Sequence, residues 1–175
     1  PDEWRGDDRA GLREDIAAHI RAQRQAGRLV VGYSGSHGVP NALEVLIDSA
    51  AQLRDERLAF VLVGDGLEKA RLVERAAAAG LEHLRFFDPV PKAQMPALLE
   101  GFDIAYIGWH RLPIYRFGIA PNKLLDYMMA GRAVLHSVEA GNDPVAEAGC
   151  GLTVAPESVP EVVSVSTIRT TMSAS

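Results

Sequence analysis

An amide, a cation and a carboxylate fall close together in G-I-A-P-N-K-L-L-D-Y-M-M-A-G-R-A-V, the segment from Gly118 to Val134. The pattern predicts a loop, a short helix opened by Pro121 and closed by Gly131, and then a strand. Proline suits a first helical turn, where no N–H partner is lost, and glycine suits the left-handed residue past a helix end. Asn122 and Lys123 stand in that first turn, where free N–H groups and the helix dipole favour an anion. Asp126 follows one turn later on the same face. Together these groups suit a ligand with a phosphate at one end and hydroxyls at the other. A plainer reading makes Lys123 a solvated lysine and Asp126 an exposed helix carboxylate. The dipole weighs slightly against it, since a first turn prefers acids. A charge pair at about 4 Å is worth roughly 4 kcal/mol at an effective dielectric of 20, before desolvation is subtracted.

Other candidates lie on turns. Gly35 and Gly38 bracket G-S-H-G, a turn leading to a helix start. Missing side chains there let backbone approach a phosphate or sugar, and a ligand-free strand-to-helix turn fits the same residues. Gly64-Asp65-Gly66 is either a ribose or base contact or a bare turn. His37 and His110 fall on loops able to reach a ligand; His19, His83 and His136 read as surface or core residues. Trp109, Tyr115 and Arg116 either line a sugar site or pack their own loop down. The run G-Y-S-G-S approaches a nucleophile elbow at Ser34, but Ser36 replaces the glycine that permits the strained turn. Neither G-x-G-x-x-G nor G-x-x-x-x-G-K-S/T occurs, so NAD and P-loop chemistry lose their main support. The histidines lack metal-ligand spacing and no D-x-D pair exists, so no metal or cofactor is expected.

The elements that must position these groups alternate along the chain. A helical pattern over 7–27 repeats Leu12, Ile16 and Ile20 at every fourth residue. Apolar runs at Leu29–Ser34, Leu58–Val63, Leu84–Phe87, Phe102–Ile107, Ala133–Ser137 and Leu152–Val154 predict six strands. Helices are expected at 40–54, from Gly66 to Gly80, at 91–100, at the Pro121 segment and at 143–148. Continuous apolar runs bounded by Gly and Pro, alternating with amphipathic helices, predict an α/β, doubly wound parallel sheet with helices on both faces. In the usual winding the crevice lies between strands one and four, beyond their carboxyl ends. Gly35–Gly38 and the loop Gly108–Asn122 must then line it, which brings the Lys123 segment to the place where such folds bind ligands.

With 175 residues, 47% of them hydrophobic, the chain has one domain's worth of core. A net charge of −5 without a basic tract argues against a nucleic-acid partner. Cys150 is the only cysteine, so disulfide and cysteine–zinc frameworks are excluded and a reducing, cytoplasmic compartment is expected. No apolar run approaches the roughly 18 residues of a membrane span, and no signal peptide is recognised. The polar start, without Met, is expected of a piece cut from something longer. The tail from Val162, rich in Ser, Thr and Val, has no helical period and is expected to be disordered or extended.

The motifs V-V-G-Y-S-G-S-H-G, F-V-L-V-G-D-G-L-E-K, L-R-F-F-D-P-V-P and A-P-N-K-L-L-D-Y-M-M-A-G-R-A-V, taken in series from about Leu29 to Pro156, resemble the C-terminal, donor-binding domain of group 1 glycosyltransferases. The resemblance implies a Rossmann-like half of a GT-B fold and transfer from a nucleotide-sugar with retention. The P-N-K form looks most like enzymes building bacterial surface polysaccharide and lipopolysaccharide, often from UDP-sugars. That family has a glutamate, seven residues, then a second glutamate. Asp126 matches the second, implying a ribose contact. The first falls at Gly118, implying that backbone from Gly118, Ile119, Ala120, Pro121 and Asn122 meets the hexose. The family's Arg and Lys after the first strand are absent, so Lys123 is the implied diphosphate partner, and Val90 matches where backbone reads the base. Gly35, His37, Gly38, Gly64, Asp65 and Gly66 complete the expected donor site.

This organisation assigns 1–28 to a linker and first helix, 29–156 to the donor domain and 157–175 to a tail. An N-terminal acceptor domain is the implied partner, with the catalytic base expected there and the fragment alone inactive. The full enzyme is expected in the cytoplasm, at the inner face of the membrane. Two other classes compete: a nucleotide-sugar epimerase of GT-B architecture, and a non-catalytic nucleotide-binding α/β module.

Overall fold

The computed structural model describes residues 11–54 and 57–164. Six parallel strands form one sheet: β1 (Leu29–Ser34), β2 (Leu58–Val63), β3 (Leu84–Phe87), β4 (Ile104–Gly108), β5 (Ala133–Ser137) and β6 (Gly151–Val154). Their order is β3-β2-β1-β4-β5-β6, so the winding reverses between β1 and β4 as the strand pattern predicted. All six residues of β2 are buried, which is why its sequence, LAFVLV, is a continuous apolar run rather than an alternating one.

Helices cover both faces. Leu43, Leu46 and Ile47 of α2 (Leu43–Gln52) and Leu72 of α3 (Lys69–Ala78) pack with Val31, Phe60 and Leu62 on one side. On the other, Ile16 and Ile20 of α1 (Glu14–Gln25) and Leu98 and Leu99 of α4 (Met95–Glu100) meet Val30, Val61 and Val63. Leu124 and Tyr127 of α5 (Asn122–Met129) and Val145 of α6 (Pro144–Glu147) complete that layer.

The differences from expectation are local. The first turns of the 40–54 and 91–100 segments are 3-10 helix, at Val39–Asn41 and Lys92–Gln94. Pro121 is the cap before α5, with extended backbone, and Asn122 is the first helical residue. Residues 159–164 are helical, with Val162 fully buried against the α2–α3 layer, where an extended or disordered tail was expected. One buried contact there outweighs weak helical periodicity. Residues 165–175, and the first four of the 7–27 helical pattern, lie outside the described residues.

The close pairing of β1 with the layer beneath it depends on one missing side chain. A Cβ on Gly32 would fall on the ring of Phe102, which is itself fully buried. Gly32→Ala is therefore an overpacking change and is expected to destabilise the domain by about 1–3 kcal/mol. Urea denaturation of variant and parent checks this; equal midpoints would show that the ring moves aside without cost.

Candidate functional site

The site is assembled where the winding reverses. β1 ends at Ser34 and turns through Gly35, Ser36 and His37; α5 comes from the far side, after the long loop that follows β4. Lys123, half-buried in the first turn of α5, reaches back across the crevice. Its Nζ donates to the Tyr33 hydroxyl at 2.7 Å, approaches Asn41 Oδ1 at 3.4 Å, and stands 4.3 Å from the centre of the Tyr33 ring. A Cβ on Gly35 would lie 2.5 Å from Lys123 Cε and 2.6 Å from Nζ and would push the lysine end aside, and the φ of 146° favours glycine there. Burial alone depresses the Lys123 ammonium to about 8. Among the described residues, no carboxylate forms an ion pair with it. The start of α5 has no side-chain cap either, and with Leu124 N–H donating to the Pro121 carbonyl at 3.0 Å, the Asn122 and Lys123 N–H groups are left for a ligand.

Gly35 also belongs to a cavity of about 260 Å³, shared with Ser34, Ser36, Gly64, Asp65, Pro89 and Val90 among its walls. Three strand ends thus meet in one hollow, whose walls include four residues of the expected donor site: Gly35, Gly64, Asp65 and Val90. Gly64 backs directly onto the Gly35 carbonyl, and Gly66 onto the backbone of His37. The Gly64-Asp65-Gly66 turn therefore packs the two loops together as well as edging the cavity. Asp126 is half-buried on the flank of α5 that carries Lys123, while Leu124 and Tyr127 face the core. Asn122 is exposed. Gly38 caps the 3-10 turn before α2.

His37 departs from expectation. It is fully buried rather than on the crevice wall, its ring between those of Tyr33 and Phe86 at centroid distances of 5.9 and 5.8 Å. Neither ring nitrogen has a hydrogen-bond partner among the described residues. Burial, with Lys69 and Lys123 nearby, lowers its pKa to about 4. What His37 contributes is backbone: its N–H donates to the Asp65 carbonyl at 2.8 Å and its carbonyl accepts from Glu68 N–H at 3.0 Å. His110 is occupied as well. Its Nε2 is 3.0 Å from Glu44 and its Nδ1 is 2.7 Å from Glu157, so the imidazole clasps the β4 loop to α2 and to the segment after β6. Trp109 and Tyr115 pack together with ring centres 5.0 Å apart, and Arg116 lies over Phe117 at 4.6 Å. Ser34 Oγ donates to Met95 Sδ at 3.3 Å, with no imidazole bonded to it, so the nucleophile-elbow reading has no base.

Sequence reasoning missed Asn142. Its Oδ1 accepts from Ile119 N–H at 2.7 Å and its Nδ2 donates to the Ile119 carbonyl at 3.0 Å, mimicking one rung of a sheet. This fixes the backbone beside Gly118, whose φ of 101° few other residues would tolerate. Asn142 lies 23 positions from Ile119, and nothing local in N-D-P announces the contact. A second hollow, about 310 Å³, opens beyond β5 and β6, lined by His136, Asn142, Asp143, Thr153 and Glu161 among others. It is larger, but Gly35, the turn residue that abuts Lys123, does not border it, so the β1–β3 cavity is the better candidate.

Sheet order, crevice and cation define a Rossmann-like α/β domain with its site at the topological switch point. The chain belongs to the glycosyl transferases group 1 family, whose sequence profile matches residues 28–167. It is 34% identical over 142 residues to the putative colanic acid biosynthesis glycosyl transferase WcaI of Escherichia coli (strain K12), covering 77% of this chain and 33% of WcaI. HepE from Anabaena, in complex with UDP and glucose, matches with a TM-score of 0.67 at 20% identity, over 91% of this chain and 43% of HepE. The C-terminal domain of the group 1 family protein LpcC from Francisella tularensis gives a TM-score of 0.65 at 16% identity, over 83% of this chain and 78% of that one. The fold is therefore one half of the GT-B architecture. The chain spans about a third of the length of the curated relatives it matches.

Two outcomes follow for the site's frame. Asn142→Ala removes both bonds to Ile119 and is expected to cost about 1–3 kcal/mol, with faster amide exchange at Ile119; unchanged exchange would show that other contacts hold the loop. For His37, a folded pKa near 4 lies below the usual value of 6.5, so the unfolded state binds the extra proton. Stability from this group is complete above pH 6.5 and falls as pH drops toward 4. His19, His83 and His136 are depressed in the same direction by burial. His37→Leu should make the acid loss between pH 6.5 and 4 shallower, measured by denaturation midpoint against pH; an equally steep profile would assign the loss to the other three.

Proposed function

We propose that this chain is the donor-binding half of a glycosyltransferase that moves a sugar from a UDP-sugar to a cell-surface glycan or lipopolysaccharide acceptor. The observation that carries the reading is Lys123: a cation held at the strand crossover, beside an uncapped helix start, without a carboxylate partner among the described residues. Its charge and the α5 amides receive the diphosphate and stabilise it as it departs, an electrostatic role that needs no metal. Asp126 takes ribose hydroxyls, and the cavity at Pro89 and Val90 takes the base. Backbone from Gly118 to Asn122, held by Asn142, meets the donor sugar.

Family membership supports the activity, the UDP and glucose held by HepE support the donor class, and the colanic acid role named for WcaI supports the acceptor class. An N-terminal domain supplies the acceptor site and the remaining catalytic groups, so this piece binds donor without transferring sugar. The enzyme works on the cytoplasmic side, at the inner face of the membrane; among the described residues no helix is long and apolar enough to cross one. The epimerase alternative loses its acid–base pair, because His37 is buried and His110 is engaged by two carboxylates.

At about 100 times its dissociation constant, UDP should add roughly 2.7 kcal/mol of stability. Melting curves with UDP, GDP and uridine, with and without EDTA, read this out. A UDP shift indifferent to EDTA is expected; no shift at millimolar nucleotide overturns the donor site, and an EDTA-sensitive shift overturns its metal independence. Lys123→Ala should weaken UDP and leave uridine unchanged. Equal losses for both would remove Lys123 from the diphosphate.

A further inference from the structure

Lysine is a flexible four-carbon stem, and a half-exposed one ordinarily samples many rotamers. Lys123 is instead held from two sides by residues that also hold the turn after β1. The Tyr33 hydroxyl accepts from Lys123 Nζ at 2.7 Å and donates to the Ser36 carbonyl at 2.7 Å. Asn41 repeats the arrangement: Nδ2 donates to the same carbonyl at 2.9 Å, and Oδ1 faces Nζ at 3.4 Å. Lys123, Tyr33, Ser36 and Asn41 thus form a closed ring of contacts joining β1, the turn after it, the 3-10 turn before α2, and α5.

We propose that Tyr33 and Asn41 are positioning residues that lock the Lys123 ammonium to the turn after β1, so that its remaining N–H and its unneutralised charge face the phosphate end of the ligand. The proposal rests on the donor-site reading above. An ammonium has three donors; two are directed at Tyr33 and Asn41, which leaves one. Both acceptors are neutral, so they orient the charge without cancelling it, whereas a carboxylate in either place would compete with the diphosphate. The other groups facing the ammonium do not neutralise it. His37, beneath the turn, is uncharged above about pH 4, and burial pushes the Tyr33 hydroxyl well above its ordinary range. Asp126, on Lys123's own helix, makes no ion pair with it among the described residues. The two-sided grip also explains why the turn carries Gly35: a side chain there would displace the ammonium from its ring of partners.

Two substitutions in the 175-residue protein move the ammonium's titration in opposite directions while both weaken the ligand. Tyr33→Phe keeps the ring but removes a hydroxyl that favours the charged form, so the Lys123 midpoint, followed by NMR of its ε-methylene, should fall below the parent's value of about 8. Asn41→Asp puts a carboxylate beside Nζ and should raise that midpoint. UDP affinity should fall about tenfold in each, with uridine unchanged. In a Lys123→Ala background Tyr33→Phe should not weaken UDP further, since it acts only through the lysine. Midpoints that do not move, or a Tyr33→Phe loss of UDP that persists in that background, overturn the positioning role. The ε-methylene titration is read without ligand, so a protein that binds no UDP would defeat the donor-site reading while the grip on Lys123 is still judged by its own result.

Discussion

A positive charge held out of water beside neutral partners is the constraint on which the rest of this domain turns. Lys123 is desolvated with no carboxylate paired to it among the described residues, and burial lowers its pKa to about 8. Such a group persists only where surrounding structure holds it, and here the frame is extensive. β1 supplies Tyr33, the turn supplies the space at Gly35, α2 is preceded by Asn41, and α5 carries the lysine itself. The crossover between β1 and β4 makes these four meet. Without the reversal in strand order, Tyr33 and Lys123, 90 positions apart, would have no reason to touch.

The family pattern and this chain differ at one informative place. Where a glutamate is usual, Gly118 has a backbone twist that a glutamate would adopt only under strain, and Asn142 clamps the next peptide by both its polar edges. On the proposed reading, a rigid stretch of main chain takes the place of that side chain at the sugar. Main-chain groups cannot swing aside, so recognition by them depends on the loop's shape. That shape is held by Asn142, beyond β5 and outside the Gly118–Val134 segment.

Much of this was legible in the sequence. All six strands were readable because each is an apolar run bounded by Gly or Pro, and the parallel order followed from the helices between them. Lys123 was placed in the crevice for the same reason. What stayed hidden were contacts with no local signature. The burial of His37 depends on Phe86 in the next strand but one, and the capture of His110 depends on Glu44 and Glu157, from two distant segments. The helix at 159–164 was missed because its composition is β-like; its order comes from tertiary burial of Val162. Local pattern reports elements and their ends, whereas pairings across the fold come from topology and packing.

The sheet's outer strands carry a consequence for assembly. β3 and β6, at the two edges, have four residues each, the shortest strands in the sheet. A brief rim offers few free backbone groups to a stranger's strand, so lateral growth of the sheet is discouraged. The domain is thus poorly suited to joining neighbours side by side. The proposed donor site lies instead across the strand tips, so a companion domain covering it would meet loops and helix ends and leave both edges of the sheet free.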